Sequence, residues 1–402
     1  MKIKIEKGRA EGKISAPASK SVAHRFLIAA AMANGRSRIS GITPSEDVLA
    51  TIDCLRALGA VIEYDGAVAT VFGVDFTKAS PTGILNSRES GSTLRFLIPL
   101  SLLSGSEVTL MGAPRLIERP HGIYEDLCRE RGLTFIRDKS SITVKGPLGG
   151  GDFYLPGNVS SQFITGLLFA LPNLPCDSKI ILTTALESRS YINLTLSCLA
   201  KFGVRAEWID EKTLLVTGNQ LYRGGEFVVE GDYSGAAFID ALSIIGGGVE
   251  VDGLLTDSLQ ADRVYKELFP LLKGGTPTIN IEDCPDLGPI LFALASALSG
   301  AVFVGTRRLK IKESDRAEAM AKELSKFGAR LSVGENDVTV HPQPLQEPTE
   351  TLFGHNDHRI VMSLAVIATL YGGIIEGAEA VAKSYPDFFS DLKKLGINCY
   401  EI

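Results

Sequence analysis

Cationic and hydroxyl side chains recur in this sequence where a polar loop runs into an apolar helical segment. In residues 88–95, RESGSTLR, Gly91 and three hydroxyl side chains lie between Arg88 and Arg95. Glycine lets a ligand approach the backbone closely, and the free N–H groups and dipole of a helix start attract anions. When this segment is taken alone, an ordinary capped helix with surface arginines is the better explanation. The rest of the chain decides between these two interpretations.

Three further segments of the first half have the same form. The expected helices cover residues 26–32, 164–171 and 192–199, and polar side chains precede or open each of them. These side chains are Lys20, Ser21, Arg25, Ser160, Ser161, Gln162 and Ser188. One capping serine would explain Ser160 or Ser161, but two hydroxyls with an amide suit a phosphate or hydroxyl ligand better. The loop at 113–120 adds two arginines, Arg115 and Arg119, which an exposed turn would also explain.

The second half repeats the pattern with acidic side chains added. Expected helices at 290–298, 317–327 and 360–370 are preceded by charged residues, which are Asp286, Lys312, Glu313, Arg316, Asp357, His358 and Arg359. Asp286 would cap its helix and becomes a base candidate only if a substrate hydroxyl reaches it. Cations at a helix start oppose the dipole, so an anionic ligand explains Lys312 and Arg316 better than solvent does. Lys383 enters a later turn in the same way.

Composition limits the class of function. The chain has 402 residues and a net charge of −6, which argues against a general nucleic-acid binder. Its six cysteines contain no CxxC pair, and we expect no metal site and no disulfide framework. No apolar stretch suggests a membrane span, and a cytoplasmic protein is expected. Cations placed at helix starts in an acidic protein predict a cleft between two domains that binds small polyanionic substrates.

The chain also contains an internal repeat. An amphipathic helix, a helix-stopping glycine and an alternating strand recur around Gly59, Gly132, Gly203, Gly328 and Gly396. A degraded copy covers residues 268–275. The spacing, roughly 70 residues with one shorter gap, is too long for a solenoid. It predicts six α/β units in two domains of three, and the first strand would pair with the last unit.

Together these motifs, from Lys20 to Lys383, resemble the EPSP synthase family. The resemblance implies an α/β fold of two similar domains, each of three βαβαββ units, forming an inside-out α/β barrel with the active site in the interdomain cleft. The expected domains are 14–229, on the shikimate 3-phosphate side, and 1–13 with 230–402. The implied reaction transfers the enolpyruvyl group of phosphoenolpyruvate to the 5-hydroxyl of shikimate 3-phosphate, as in chorismate and aromatic amino-acid biosynthesis.

The resemblance also assigns roles to residues. Catalysis would fall to Asp286 as base, Glu313 as acid, and Lys20. The residues implied to bind shikimate 3-phosphate are Lys20, Ser21, Arg25, Ser160, Ser161, Gln162, Ser188, Asp286 and Lys312. Those implied to bind phosphoenolpyruvate are Lys20, Gly91, Arg115, Gln162, Arg316, Arg359 and Lys383. No metal or cofactor, no nucleic acid and no membrane partner is implied, and the family expectation is a monomer.

Two positions depart from the family pattern, and two other functions stay open. Glu89 and Arg308 stand where the family usually has Asn, which bears on substrate geometry and on the response to the inhibitor glyphosate. One alternative is UDP-N-acetylglucosamine 1-carboxyvinyltransferase, whose reactive cysteine has no counterpart in residues 113–120. The other is a non-catalytic anion-binding module, which would need neither Asp286 nor Glu313.

Overall fold

The computed structural model describes residues 1–78 and 84–402. The chain divides into two compact units, one formed by Ala18–Glu230 and the other by Met1–Pro17 with Gly231–Ile402. The boundaries predicted from the sequence, after residues 13 and 229, lie four residues and one residue before these. In the described residues no helix has the length and apolar character needed to cross a membrane.

The helices and strands follow one another along the whole chain. The α-helices of the described residues are α1 Lys20–Ala31, α2 Glu46–Ala57, α3 Gly91–Ser101, α4 Pro114–Glu118, α5 Gly122–Glu130, α6 Ser161–Ala170, α7 Arg189–Lys201, α8 Tyr233–Ile244, α9 Tyr265–Leu272, α10 Gly288–Ala297, α11 Arg316–Ser325, α12 His358–Tyr371 and α13 Phe388–Lys394. The strands are β1 Lys2–Ile5, β2 Glu11–Ser15, β3 Ala33–Asn34, β4 Arg36–Ser40, β5 Val61–Tyr64, β6 Val68–Phe72, β7 Leu85–Asn86, β8 Glu107–Met111, β9 Thr134–Arg137, β10 Ser141–Lys145, β11 Gly151–Leu155, β12 Ser178–Leu182, β13 Ala206–Trp208, β14 Thr213–Val216, β15 Tyr222–Arg223, β16 Glu226–Val228, β17 Gly248–Asp252, β18 Thr278–Asn280, β19 Ala301–Val304, β20 Arg330–Val333, β21 Asp337–His341, β22 Leu352–Phe353, β23 Gly373–Glu376 and β24 Cys399–Glu401.

Five four-stranded sheets share one pattern in the described parts of the chain. Each has a parallel pair of strands, followed by a third strand antiparallel to the pair and a fourth strand antiparallel to the third. The strand orders are β16-β4-β6-β5, β7-β8-β10-β9, β11-β12-β14-β13, β18-β19-β21-β20 and β22-β23-β1-β24. The predicted repeat of α/β units is therefore confirmed, three in the 18–230 unit and two in the other.

One repeat of the unit that contains Gly231–Ile402 is reduced to a two-stranded sheet, and the N-terminal strand β1 completes the C-terminal repeat. β2 and β17 form a parallel pair, and α9 is followed directly by β18 without the hairpin of the other repeats. The interpretation of residues 268–275 as a degraded copy is thus confirmed. β1 lies between β23 and β24 and is antiparallel to both, with Ile3 opposite Ile375 and Glu401. The predicted pairing of the first strand with the last repeat is also confirmed.

The glycines that the repeat placed after helices adopt the backbone conformation that such a position needs. Their φ angles lie in the left-handed region, at 104° for Gly59, 65° for Gly132, 75° for Gly203, 90° for Gly328 and 87° for Gly396. A residue with a Cβ is disfavoured there, so glycine ends the helix and turns the chain into the following strand.

Three helices in each unit are buried on nearly all sides. These are α1, α3 and α6 in one unit and α8, α10 and α12 in the other. Their sequences are apolar around the whole circumference, as expected for a helix without a solvent face. In the core α3 packs on α6, while α10 packs on α8 and α12. Polar side chains are therefore confined largely to the ends of these helices, where the candidate site residues lie.

Candidate active site

In the 18–230 unit, the first two turns of α1 carry the predicted cations Lys20 and Arg25. The ammonium of Lys20 donates to Asp47 Oδ2 at 2.8 Å, and both side chains are mostly buried. The guanidinium of Arg25 is 3% exposed and donates to Thr195 Oγ1, at 2.9 Å, and to the backbone oxygens of Ser21 and Tyr191. Burial lowers the pKa of Arg25 to about 10, which keeps the side chain charged at neutral pH.

The glycine segment opens α3 as the sequence predicts. Ser90 caps the helix, since its Oγ accepts from the backbone N–H of Thr93 at 3.2 Å. A Cβ built on Gly91 would lie 2.8 Å from an Nη atom of Arg119, so glycine leaves room for that guanidinium. Arg88 pairs instead with Glu46 and Asp53 at an exposed position.

The two arginines of residues 113–120 have different environments. Arg115 lies in α4 with an exposed side chain, whereas Arg119 is 7% exposed and lies against Gly91. The structure therefore brings Arg119, and not Arg115, to the glycine segment. The sequence shows two apolar residues, Leu116 and Ile117, between the two arginines, and the structure buries both. This pattern alone does not show which of the two arginines is buried.

A hydrogen-bond network fixes the amide of Gln162. Its Oε1 accepts from Arg95 Nη1 at 2.7 Å, and its Nε2 donates to Ser92 Oγ at 3.0 Å. These two partners define which end of the amide faces which neighbour. Arg95 is 2% exposed and also donates to the backbone oxygen of Pro120. The sequence indicated Arg95 as a positive charge near the glycine segment but did not indicate this orienting role.

The remaining candidates of this unit lie at two helix starts. Ser160 caps α6, since its Oγ accepts from the backbone N–H of Gln162 at 3.3 Å, and Ser161 is the first residue of the helix. Ser188 precedes α7 with a left-handed φ of 60°. A non-glycine residue in this conformation is strained and is held by its surroundings, which is common at functional sites.

In the other unit, Asp286 is held by three cations. Its Oδ1 accepts from Arg316 Nη1 at 2.7 Å and from Lys312 Nζ at 3.2 Å, and its Oδ2 accepts from Arg359 Nη2 at 3.0 Å. Burial alone raises the pKa of Asp286, but Arg359, Lys312 and Arg316 together hold that pKa well below its usual range. Burial lowers the pKa of Lys312, and Asp286 opposes this effect. All four residues, Asp286, Lys312, Arg316 and Arg359, were site candidates from the sequence, and the structure brings them together.

Arg316 is the centre of this cluster. It is 1% exposed and, besides Asp286, it contacts Glu313 Oε2 at 2.8 Å and Asp357 Oδ2 at 2.8 Å. The carboxylates hold the pKa of Arg316 above its ordinary value despite burial. Asp357 is fully buried and also caps α12 by accepting from the N–H of Arg359 at 3.0 Å. The charged run before α12 was noted in the sequence, but this capping and bridging role was not.

Lys383, Arg308 and Glu89 are three further residues that the sequence singled out. Lys383 is 8% exposed and donates to Asn356, with its Nζ 2.5 Å from the backbone oxygen and 2.8 Å from Oδ1. Arg308 is buried and donates to the backbone oxygen of Glu282 at 2.7 Å, while Glu89 is half-buried before α3. In residues 1–78 and 84–402 no group of His, Cys, Asp and Glu is arranged as a metal site.

The fold is shared with solved structures of known class. An EPSP synthase from Acinetobacter baumannii superposes over all of both chains, with a TM-score of 0.80 and 23% identity. The enolpyruvyl transferase NikO from Streptomyces tendae covers 99% of this chain and 98% of its own, with a TM-score of 0.79 and 16% identity. Both likenesses establish the fold, which is that of the enolpyruvyl transferases.

The family follows from the sequence comparison. The family model described as EPSP synthase (3-phosphoshikimate 1-carboxyvinyltransferase) matches residues 5–392. The 3-phosphoshikimate 1-carboxyvinyltransferase of Clostridium kluyveri is 39% identical over 421 residues, which cover 98% of this chain and 97% of the relative. The chain belongs to the EPSP synthase family, a family of transferases.

Proposed function

We propose that this protein transfers the enolpyruvyl group of phosphoenolpyruvate to the 5-hydroxyl of shikimate 3-phosphate, releasing phosphate. The observation that carries the proposal is the cluster in which Lys312, Arg316 and Arg359 surround Asp286, next to Glu313. Fixed cations suit a donor that carries a phosphate and a carboxylate, and the two acidic side chains suit the proton transfers.

The proposed reaction is an addition followed by an elimination. Asp286 accepts the proton of the 5-hydroxyl while the hydroxyl oxygen forms a bond to C2 of phosphoenolpyruvate. Glu313 gives a proton to the methylene carbon. The resulting tetrahedral ketal carries both substrates on one carbon. Its C–O bond to phosphate then breaks as the methyl group returns a proton to Glu313 and Asp286 gives its proton to the departing phosphate, and the enol ether and phosphate are formed. Lys312 and Arg316 stabilise the negative charge during both steps.

The contacts of Asp286 with three cations suggest how it becomes a base. Its depressed pKa makes it a weak proton acceptor, because three cations stabilise its charged form. Arg316 and Arg359 are also the residues proposed to hold the anionic oxygens of phosphoenolpyruvate. Contacts that these cations make to the substrate weaken their hold on Asp286, so its pKa rises when the donor binds. Donor binding would in this way activate the base.

The proposed substrate contacts in the 18–230 unit are those that the resemblance to the EPSP synthase family implies, and they lie near its helix starts. Shikimate 3-phosphate is assigned to the first turns of α1, α6 and α7, through Lys20, Ser21, Arg25, Ser160, Ser161, Gln162 and Ser188. We propose Arg119 in place of Arg115, which the resemblance implied, because Arg119 is buried beside Gly91 whereas Arg115 is exposed. Gly91, Arg119 and Lys20 are proposed to contact phosphoenolpyruvate.

The test is phosphate release from phosphoenolpyruvate with shikimate 3-phosphate as acceptor, and in a parallel reaction with UDP-N-acetylglucosamine. Release with the shikimate ester alone supports the proposal. Release with the nucleotide sugar alone would assign the chain to the other acceptor. Release with neither acceptor, from well-folded protein that binds both anions, would leave only an anion-binding function.

The reaction as proposed uses side-chain cations and acid–base groups, so we expect turnover to survive treatment with EDTA. We propose that the protein acts in the cytoplasm as a monomer, and light scattering at the assay concentration measures its mass. A mass of twice the monomer's 43.0 kDa would contradict the monomer.

A further inference from the structure

The loop that enters α12 has an unusual backbone. His355 and Asn356, which are consecutive and are not glycine, have left-handed φ angles of 49° and 51°. This conformation is unfavourable for residues with a Cβ, although Asn and His tolerate it better than most. Two such residues in succession persist only where surrounding contacts hold them, so the contacts of this loop identify what maintains its shape.

Glu323 holds the start of the loop. It is fully buried in α11, and its Oε1 lies 2.9 Å from His355 Nε2 while its Oε2 accepts from the backbone N–H of Phe353 at 2.8 Å. Lys326 donates to the same Oε2 at 2.6 Å and to the backbone oxygen of Thr351 at 2.8 Å. One buried carboxylate thus connects the strand before the loop to the first strained residue within it.

The other end of the loop is held by residues of the candidate site. Lys383 donates to the backbone oxygen and to Oδ1 of Asn356, and Arg316 contacts the carboxylate of Asp357. Arg316 and Glu323 are seven residues apart in α11, so they lie on the same face, about 10 Å apart along the axis. The same helix therefore holds both ends of the strained segment.

We propose that Glu323 and His355 are positioning residues for phosphoenolpyruvate, acting through the shape of the loop at 354–357. The inference depends on the function proposed above. Neither residue is placed against the reacting atoms. Their contact keeps Asn356 where it meets Lys383 and keeps Asp357 where it begins α12 and orients Arg359.

The consequence is selective for one substrate. Arg359 and Lys383, both assigned to phosphoenolpyruvate, are tied to this loop by hydrogen bonds. Most of the residues assigned to shikimate 3-phosphate, those at the starts of α1, α6 and α7, belong to the other unit. Loosening the loop should weaken donor binding and leave acceptor binding nearly unchanged, whereas a general loss of stability would not distinguish the two substrates.

The experiment compares one variant of Glu323 and one variant of His355 with matched controls. Glu323→Gln removes the charge that holds the loop, and His355→Asn keeps a residue that tolerates the left-handed backbone but is too short to reach Glu323. Glu318→Gln changes an exposed carboxylate of the same helix, and His341→Asn changes a histidine elsewhere in the unit. For each protein the KM of both substrates, kcat, and amide hydrogen exchange over residues 354–361 are measured.

We expect the KM for phosphoenolpyruvate to rise about tenfold or more in Glu323→Gln and His355→Asn. The KM for shikimate 3-phosphate should stay within twofold, and exchange over 354–361 should accelerate, while both controls resemble the parent protein. Unchanged donor KM in His355→Asn, or equal changes for both substrates, would overturn the inference. If Glu323→Gln does not fold, His355→Asn alone tests the positioning role. The side chain of His355 is partly exposed, so this variant is expected to fold.

The outcome is separable from that of the proposed function. If the parent protein releases no phosphate with either acceptor, the proposed function fails by itself. The exchange measurement still reports on the loop in that case, and unaltered protection over 354–361 in both variants would refute the positioning role.

Discussion

The substitution Gly91→Ala tests the assignment of Arg119 to phosphoenolpyruvate. The added Cβ would lie 2.8 Å from Arg119 Nη1 and 3.3 Å from its Cζ, whereas ordinary contact begins at 3.4 Å. The guanidinium must therefore move by about 0.6 Å. Gly91 is the first residue of α3 and its φ lies outside the left-handed region, so the backbone accepts alanine. The strain falls on the flexible end of one side chain.

The size of the effect follows from that displacement. A misplacement of 1 Å at a reacting centre can reduce the rate about 100-fold, so a shift of about 0.6 Å should weaken donor use roughly tenfold, or about 1.4 kcal/mol. Stability should change little, because alanine is the better helix former and the arginine side chain can adjust. We expect a tenfold higher KM for phosphoenolpyruvate, with the KM for shikimate 3-phosphate and the melting temperature nearly unchanged.

The assay is phosphate release with each substrate varied in turn. Gly122→Ala is the matched control, since Gly122 also begins a helix and a Cβ built on it has no neighbour within 4 Å. Arg119→Ala should raise the same KM further, and adding Gly91→Ala to it should have little additional effect. A donor KM that Gly91→Ala leaves at the control value, or a loss in Gly91→Ala that is just as large without the Arg119 side chain, would refute the reasoning.

Three other predictions concern residues of the proposed mechanism. Lys20→Ala and Asp286→Ala, which alter different units, should each lose most turnover while their circular dichroism stays normal, and a near-normal rate in either sinks its assigned role. The pKa of Asp286 is lower in the folded chain than its ordinary value of about 3.9, so its contribution to stability is present above that pH and is lost as the pH falls below it. Asp286→Asn should therefore reduce the unfolding free energy in urea more at pH 6 than at pH 3; an equal reduction contradicts the low pKa. Phosphoenolpyruvate should protect Lys383 from amine-modifying reagents, and equal labelling with and without it counts against that contact.

Local pattern was enough to predict the repeats. A helix, a stop glycine and an alternating strand are encoded within about a dozen neighbouring residues, and backbone geometry then leaves few alternatives. The left-handed φ angles of Gly132 and Gly396 and the pairing of β1 with β24 agree with that prediction. The sequence also predicted that the candidate site residues lie near helix starts, because the apolar helices carry most of their polar residues near their ends.

Pairing between distant residues could not be predicted from one sequence. Asp286 and Arg359 are 73 residues apart, and Lys20 and Asp47 are 27 apart, so nothing local links either pair. The choice between Arg115 and Arg119 depends on which side of α4 packs inward, and this is decided by the neighbours of that short helix. Sequence reasoning identified the charged segments but not the partner of each charge.

Arg25 and Arg316, one cation from each unit, have different acceptors, and this difference bears on the proposed roles of the two units. The described acceptors of Arg25 are the neutral oxygens of Thr195, Ser21 and Tyr191. A phosphate ester can pair with this guanidinium without any change in protonation.

In the other unit, Arg316 contacts three carboxylates, those of Asp286, Glu313 and Asp357, so its charge is already balanced. An anion that enters there adds negative charge to a balanced cluster, which favours proton uptake by a carboxylate. Arg25 is thus suited to binding a phosphate ester, and the carboxylate-rich cluster around Arg316 to the proton transfers. Binding of phosphoenolpyruvate should therefore take up protons from a weakly buffered solution, whereas binding of shikimate 3-phosphate alone should take up far fewer. Calorimetry in buffers of different ionisation enthalpy measures both quantities, and equal proton uptake for the two substrates would contradict the assignment.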